Sequence, residues 1–129
     1  MPQDPEDFLV DWERKVEQQT AKTTELSHRM QEVRATAESH GGEAVVTVDH
    51  SGGLAGLDLS ERAMRLPPAE LAATILETSR RAQSRLAERM NDLVTGLYGE
   101  GSETANFIGG TYAEQFPRPP EDDEESDRR

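Results

Sequence analysis

The 129-residue chain carries 26 acidic and 14 basic residues, a net charge of -12, with 33% hydrophobic and 5% aromatic residues. That length holds one domain, and so little apolar material makes a thin core for a monomer, which favours completing the core with a second subunit. The absence of cysteine excludes disulfides, thiolate metal sites and cysteine nucleophiles, and no apolar run approaches the ~20 residues of a bilayer span.

The first residues, "MPQDPEDF", are acidic where a secretory signal would be basic, so a cytoplasmic location is expected. The charge is uneven. Residues 99–129 contain nine acids and three bases, and residues 1–11 contain four acids and no base; Trp12 to Tyr98 is left with a net charge of only -2. A short acidic leader (residues 1–6), a folded domain (7–98) and a flexible acidic tail (99–129) follow from this division.

In chain order, Asp4 or Asp7 can cap a first helix, with Pro5 tolerated in its opening turn. A heptad seam then runs through Leu9, Trp12, Val16, Gln19, Thr23, Leu26, Met30 and Val33. Its narrow apolar face requires a partner helix, supplied by the same domain or by a second copy. Leu9, Trp12, Val16, Leu26 and Met30 are the candidate dimer contacts. The period shortens to two around Val33, Ala35 and Ala37, so the helix gives way to a strand near Glu32, although both periods fit this stretch. "HGG" turns the chain into "EAVVTVDH", and "SGG" turns it into "LAGLDLS". Three short β-branched or alternating runs joined by glycine turns predict a three-stranded antiparallel meander.

Ser60 or the "LPP" at Leu66–Pro68 starts the next helix, which carries Leu71, Ile75, Ala82, Leu86, Met90, Leu93 and Leu97 and meets stop signals at Gly96, Gly99 and Gly101. Beyond it, "GEGSETANFIGGTYAEQF" has only isolated aromatics, and "NFIGGTY" either docks on the fold or stays disordered. "PRPPEDDEESDRR" has the composition of a disordered tail. The prediction is an α+β protomer, α-β-β-β-α, with two long helices against one sheet; the sheet edges and helix flanks left over again favour a homodimer.

From Arg34 to Arg89 the "TAES" lead-in, the "GGEAVVTVDHSGGLAGLDLS" hairpins and the "RAMRLPPAELAATILETSRRAQ" helix start resemble the YbaB/EbfC family of bacterial nucleoid-associated proteins. The last stretch is most similar to the family's actinobacterial branch. The resemblance implies an intertwined homodimer whose sheets pair and whose helices project like tweezer arms. It also implies a cytoplasmic, nucleoid-linked protein that binds DNA with little sequence dependence. Some actinobacterial relatives are instead accessory proteins of type VII secretion. A protein-binding adaptor that ignores DNA is therefore the alternative expectation.

"SRRAQSRLAERM" places Arg81, Arg85 and Arg89 four residues apart on one helical stripe, with Arg80 beside it. Such a row can neutralise phosphates, and Lys15 and Lys22 on the first helix can widen it. The bland reading pairs Glu77 with Arg81 and lets Glu88 or Asp92 screen Arg85 and Arg89, which leaves a plain solvated face. The acidic tail is a second competitor for the same arginines. His28, His40 and His50 lack any metal-ligand spacing, no phosphate-binding glycine loop is present, and Ser60 and Ser79 have no histidine nearby. No catalysis, cofactor, metal, membrane or small-molecule substrate is expected.

Overall fold

In the computed structural model, which describes residues 5–118, the chain runs α1 (Pro5–Glu32), β1 (Ala35–Glu38), β2 (Ala44–Val48), β3 (Leu54–Leu59), α2 (Pro68–Tyr98) and α3 (Glu103–Gln115). The α-β-β-β-α order matches the expectation, and the sheet is antiparallel in the order β1-β2-β3. α1 stops at Glu32, where the apolar period shortens. Of the two candidate starts of the second helix, the "LPP" one is used, and Ser60 instead opens a separate short turn. The Ser60 hydroxyl accepts the Ala63 N–H at 3.2 Å ahead of a single 3-10 turn at Ala63–Arg65, and α2 proper begins at Pro68.

Alternation sorts the sheet into two faces. Ala35 and Ala37 pair with Val48 and Val46, and all four are buried. Between them Thr36 and Thr47 point the other way, their hydroxyls 2.9 Å apart. Small alanines on β1 let a helix approach closely, and α2 lies over β1 and β2 with one stripe, Thr78, Ala82, Leu86, Met90 and Val94, fully packed. These positions recur every four residues and follow one side of the helix.

A helix about 10 Å wide covers roughly two strands spaced ~4.8 Å apart. β3 is therefore left over. Leu57 pairs with Val46 and Leu54 with Val48, so both face the side of the sheet that α2 packs against, yet they remain 39% and 56% exposed.

α1 runs antiparallel to the end of α2. Leu26 packs with Val94, and Met30 reaches both core clusters. Lys22 lies over the Tyr98 ring, 5.2 Å from its centroid, at the last residue of α2. Everything in α1 before this point extends beyond α2. Phe8, Leu9, Val10, Trp12 and Val16 are accordingly all exposed.

The residues after Gly99, placed in the tail by their composition, open with the third helix. Ser102 caps it by accepting the Ala105 N–H at 3.0 Å, and Ala105 is buried against Leu26 and Val94. At its far end the Tyr112 hydroxyl donates to the His50 carbonyl at 3.1 Å, and the Phe116 ring sits against Gly52 in the β2–β3 turn. Docking is thus the outcome for "NFIGGTY", through Ile108 and Tyr112 rather than Phe107, which is 75% exposed. The acidic run at 121–127 and the first four residues lie outside the described residues.

The β2–β3 turn is built by Asp49, whose Oδ1 accepts the N–H groups of Ser51 and Gly53 at 2.9 and 3.0 Å. Ser51 holds that carboxyl below its usual range. Gly52 has φ +85°, and a Cβ there would come within 2.3 Å of the Phe116 ring. Gly52→Ala should therefore lower stability in urea denaturation by about 1–2 kcal/mol. Gly110→Ala, where a Cβ meets nothing within 4 Å, should raise it by up to about 1 kcal/mol.

Candidate nucleic-acid interface

Arg81, Arg85 and Arg89 each precede a residue of the buried α2 stripe: Ala82, Leu86 and Met90. Their backbone is therefore on the flank of the helix, level with the outer edge of β1. Arg85 Nη1 donates to the Thr36 carbonyl at 2.8 Å, and Arg89 Nη1 to the Arg34 carbonyl at 3.0 Å. Alternate residues of an edge strand turn their carbonyls away from the sheet, and those of residues 34 and 36 are two such groups. A helix rises ~6 Å in four residues and a strand ~6.6 Å in two. The two repeats match, so successive arginines meet successive free carbonyls. Arg81 stands one turn further along, half-buried, with Nη1 out of contact with any hydrogen-bond acceptor among the described residues. Arg80 is exposed on the neighbouring row.

Among the described residues no carboxylate forms an ion pair with these arginines. Among the described residues Glu77 faces His40 at 3.9 Å instead of Arg81, and neither Glu88 nor Asp92 forms an ion pair with Arg85 or Arg89. The pairs of the bland reading, Glu77 with Arg81 and Glu88 or Asp92 with Arg85 and Arg89, do not form among the described residues. A neutral carbonyl orients a guanidinium without cancelling its charge, and each guanidinium has five donors. Arg85 and Arg89 are thus fixed in direction and still cationic.

The other proposed contacts lie elsewhere. Lys15 and Lys22 line a shallow groove on α1 with Gln18 and Gln19. Lys22 is engaged with Tyr98, some nine residues, or about 14 Å, along α2 from Arg89. The structure does not merge lysines and arginines into one patch on a single protomer. The candidate dimer residues divide likewise: Leu9, Trp12 and Val16 are exposed, whereas Leu26 and Met30 are occupied in the protomer's own core. Spacing alone did not reveal the edge-covering role of Arg85 and Arg89, because it depends on which strand α2 crosses. A further arginine, Arg62, donates to the Gly41 carbonyl and ties the approach to α2 onto the β1–β2 turn. In that turn Ser39 donates to Glu43 at 2.8 Å and keeps its carboxyl below the usual range.

The described residues hold no cluster of three or more His, Cys, Asp or Glu side chains that fits a metal ion, and no helix among them is long and apolar enough to cross a membrane. What the geometry offers is a row of oriented cations on a rigid helix. The model of the YbaB/EbfC DNA-binding family matches residues 10–101. The chain belongs to this family. The match takes in most of α1, the whole sheet and α2, and ends before α3. No curated protein matches the chain. Membership in a DNA-binding family accords with the arginine row.

Because Arg85 and Arg89 cover a strand edge, each should carry a stability role that Arg80 lacks. Arg85→Ala or Arg89→Ala should cost about 1 kcal/mol in chemical denaturation. Arg80→Ala should stay within about 0.5 kcal/mol of the parent.

Proposed function

We propose that this protein is a nucleoid-associated, cytoplasmic DNA-binding homodimer that engages duplexes through their phosphates with little sequence dependence. The observation that carries the reading is the arginine row of α2, in which backbone carbonyls hold Arg85 and Arg89 and no carboxylate among the described residues forms an ion pair with the row. Family membership supports the same conclusion. The row is short, so one protomer offers few phosphate contacts; a two-fold dimer presents two rows and doubles the counterions released. Arg80, Arg81, Arg85 and Arg89 are the proposed contacts, with Lys15 and Lys22 as outlying ones. The "RAMRLPPAELAATILETSRRAQ" stretch supports placement in the actinobacterial branch.

The homodimer is supported by apolar surface that the protomer leaves bare. Leu9, Trp12 and Val16 continue the seam whose other end, Leu26 and Met30, is already packed. Leu54 and Leu57 add an uncovered strip beside α2. Burying exposed Phe, Trp, Leu and Val side chains contributes roughly 1.5–3 kcal/mol each, enough across two copies to hold a dimer. Trp12→Asp should convert the protein to a monomer in sedimentation velocity without loss of helical circular dichroism. A monomeric parent protein would remove the basis of this reading.

The second reading, an adaptor for another protein with no DNA binding, draws on the same bare face of α1 and on the net charge of -12. A salt series on a random-sequence duplex separates the two. DNA binding predicts retardation at about 50 mM salt that fades steeply towards 200 mM. Arg80→Glu should weaken it about tenfold and flatten the salt slope. An adaptor gives no retardation even at the lowest salt and retains a protein partner on pull-down. Arg80 is the better probe, since changing Arg85 also disturbs the sheet edge.

A further inference from the structure

The edge of β1 sets the spacing of the arginine row. Arg85 and Arg89 donate to the carbonyls of Thr36 and Arg34, and these anchors, two residues apart, stand about 6.6 Å from one another. Both side chains are exposed, and each guanidinium keeps donors beyond the one given to the carbonyl. The residue whose carbonyl holds Arg89 is itself an arginine. Arg34 is exposed just ahead of the buried Ala35, so its charge adjoins Arg89 at the end of the row away from the β1–β2 turn. At the turn end the half-buried Arg81 has Nη1 closed off from solvent. The carboxylates nearest this edge in sequence are Glu32, Glu38, Glu88 and Asp92. Among the described residues none of them forms an ion pair with Arg34, Arg85 or Arg89. A nucleic-acid strand advances about 3.4 Å along its axis per nucleotide while winding round it, which sets successive phosphates of one strand roughly 6–7 Å apart. Phosphates that face each other across a groove are more than about 10 Å apart, because the groove widths of about 6 and 12 Å leave out the phosphates themselves. The row therefore fits neighbours along one strand and not pairs across a groove.

We infer that Arg34, Arg89 and Arg85 form a ladder that takes three successive phosphates of a single nucleic-acid strand, with Arg34 as a phosphate-binding residue and the β1 edge as the ruler. The inference rests on the DNA-binding reading and names the ligand unit of that site. One strand is enough to fill the ladder, so a single strand is a ligand as well as a duplex. The spacing is set by the carbonyls of a paired strand before any ligand arrives, which reduces the ordering that binding would otherwise cost Arg85 and Arg89. Contacts to phosphates alone carry no direct sequence information, and low sequence dependence follows from the ladder itself.

The test uses the full chain and two dye-labelled thymidine oligomers, thirteen nucleotides long, in which half of the phosphate linkages are replaced by neutral methylphosphonates. In one the charged linkages form a contiguous block, and in the other they alternate with neutral ones, so the total charge is the same. At about 25 mM salt the screening length is about 20 Å, longer than either spacing, and an unpatterned positive surface attracts the two probes equally. The ladder predicts that fluorescence anisotropy finds the contiguous probe bound about fivefold to tenfold tighter. Equal affinities overturn the inference. Arg34→Gln leaves the carbonyl that holds Arg89 in place. It should weaken the contiguous probe about threefold and lower its salt slope by about 0.7 per protomer. An unchanged affinity and slope would take Arg34 out of the row and overturn the three-rung ladder. A random-sequence duplex tests the underlying reading separately. Duplex binding together with no preference between the probes leaves DNA binding standing and sinks the ladder, whereas failure to bind the duplex and both probes sinks the two together.

Discussion

Four residues of helix and two residues of strand advance by nearly the same distance, and α2 is laid against β1 so that this coincidence is used. Arg85 and Arg89 reach round the flank of α2 to the carbonyls of Thr36 and Arg34. The contact couples three properties. It covers polar backbone that would otherwise template pairing with another chain. It fixes α2 along β1, which sets the packing of Ala82, Leu86 and Met90 on Ala35 and Ala37. It also holds two guanidinium groups in place without cancelling their charge. Had Glu88 or Asp92 taken these arginines, the edge would lie open and the row would be electrically spent.

The two edges of the sheet are treated differently. β1 is guarded by side chains of its own protomer, whereas β3 carries Leu54 and Leu57 beyond the reach of α2. α1 shows the same division along its length. The seam is spent on the protomer at Leu26 and Met30, crosses the polar pair Gln19 and Thr23, and is bare from Val16 back to Leu9. Bare apolar surface gathers on one side of the sheet and at one end of a helix. Exposed apolar surface gathered in this way marks an interaction surface, in line with the proposed dimer.

α3 adds a layer that the family match does not include. It has little apolar material and two adjacent glycines, Gly109 and Gly110, so it would not hold as an isolated helix. It persists through a capping serine, one buried alanine and two aromatic residues placed on the β2–β3 turn. A segment of such composition reads as tail because its stabilising partners, His50 and Gly52, are some sixty residues earlier in the chain.

Local pattern was enough for the elements of the domain. The change of period after Glu32, the glycine turns and the prolines before α2 each act over a few residues, and the structure places the element boundaries close to them. The alternation of Val45 to Val48 set Val46 and Val48 on one face and Val45 and Thr47 on the other, because side chains on a strand must point to opposite sides; which face is buried came from the packing of α2. The position of the arginine row was legible for the same reason, since a spacing of four is a property of one helix. Its partners were not. Charge alone nominated Glu77, Glu88 and Asp92, whereas the tertiary fold supplied backbone carbonyls, which look the same in every sequence and become available only where a strand has no neighbour. The use of one end of the α1 seam and the bareness of the other, and the docking of α3, were also decided by tertiary structure. Those outcomes depend on how far α2 extends and on which surfaces it leaves uncovered, and no local pattern carries that information.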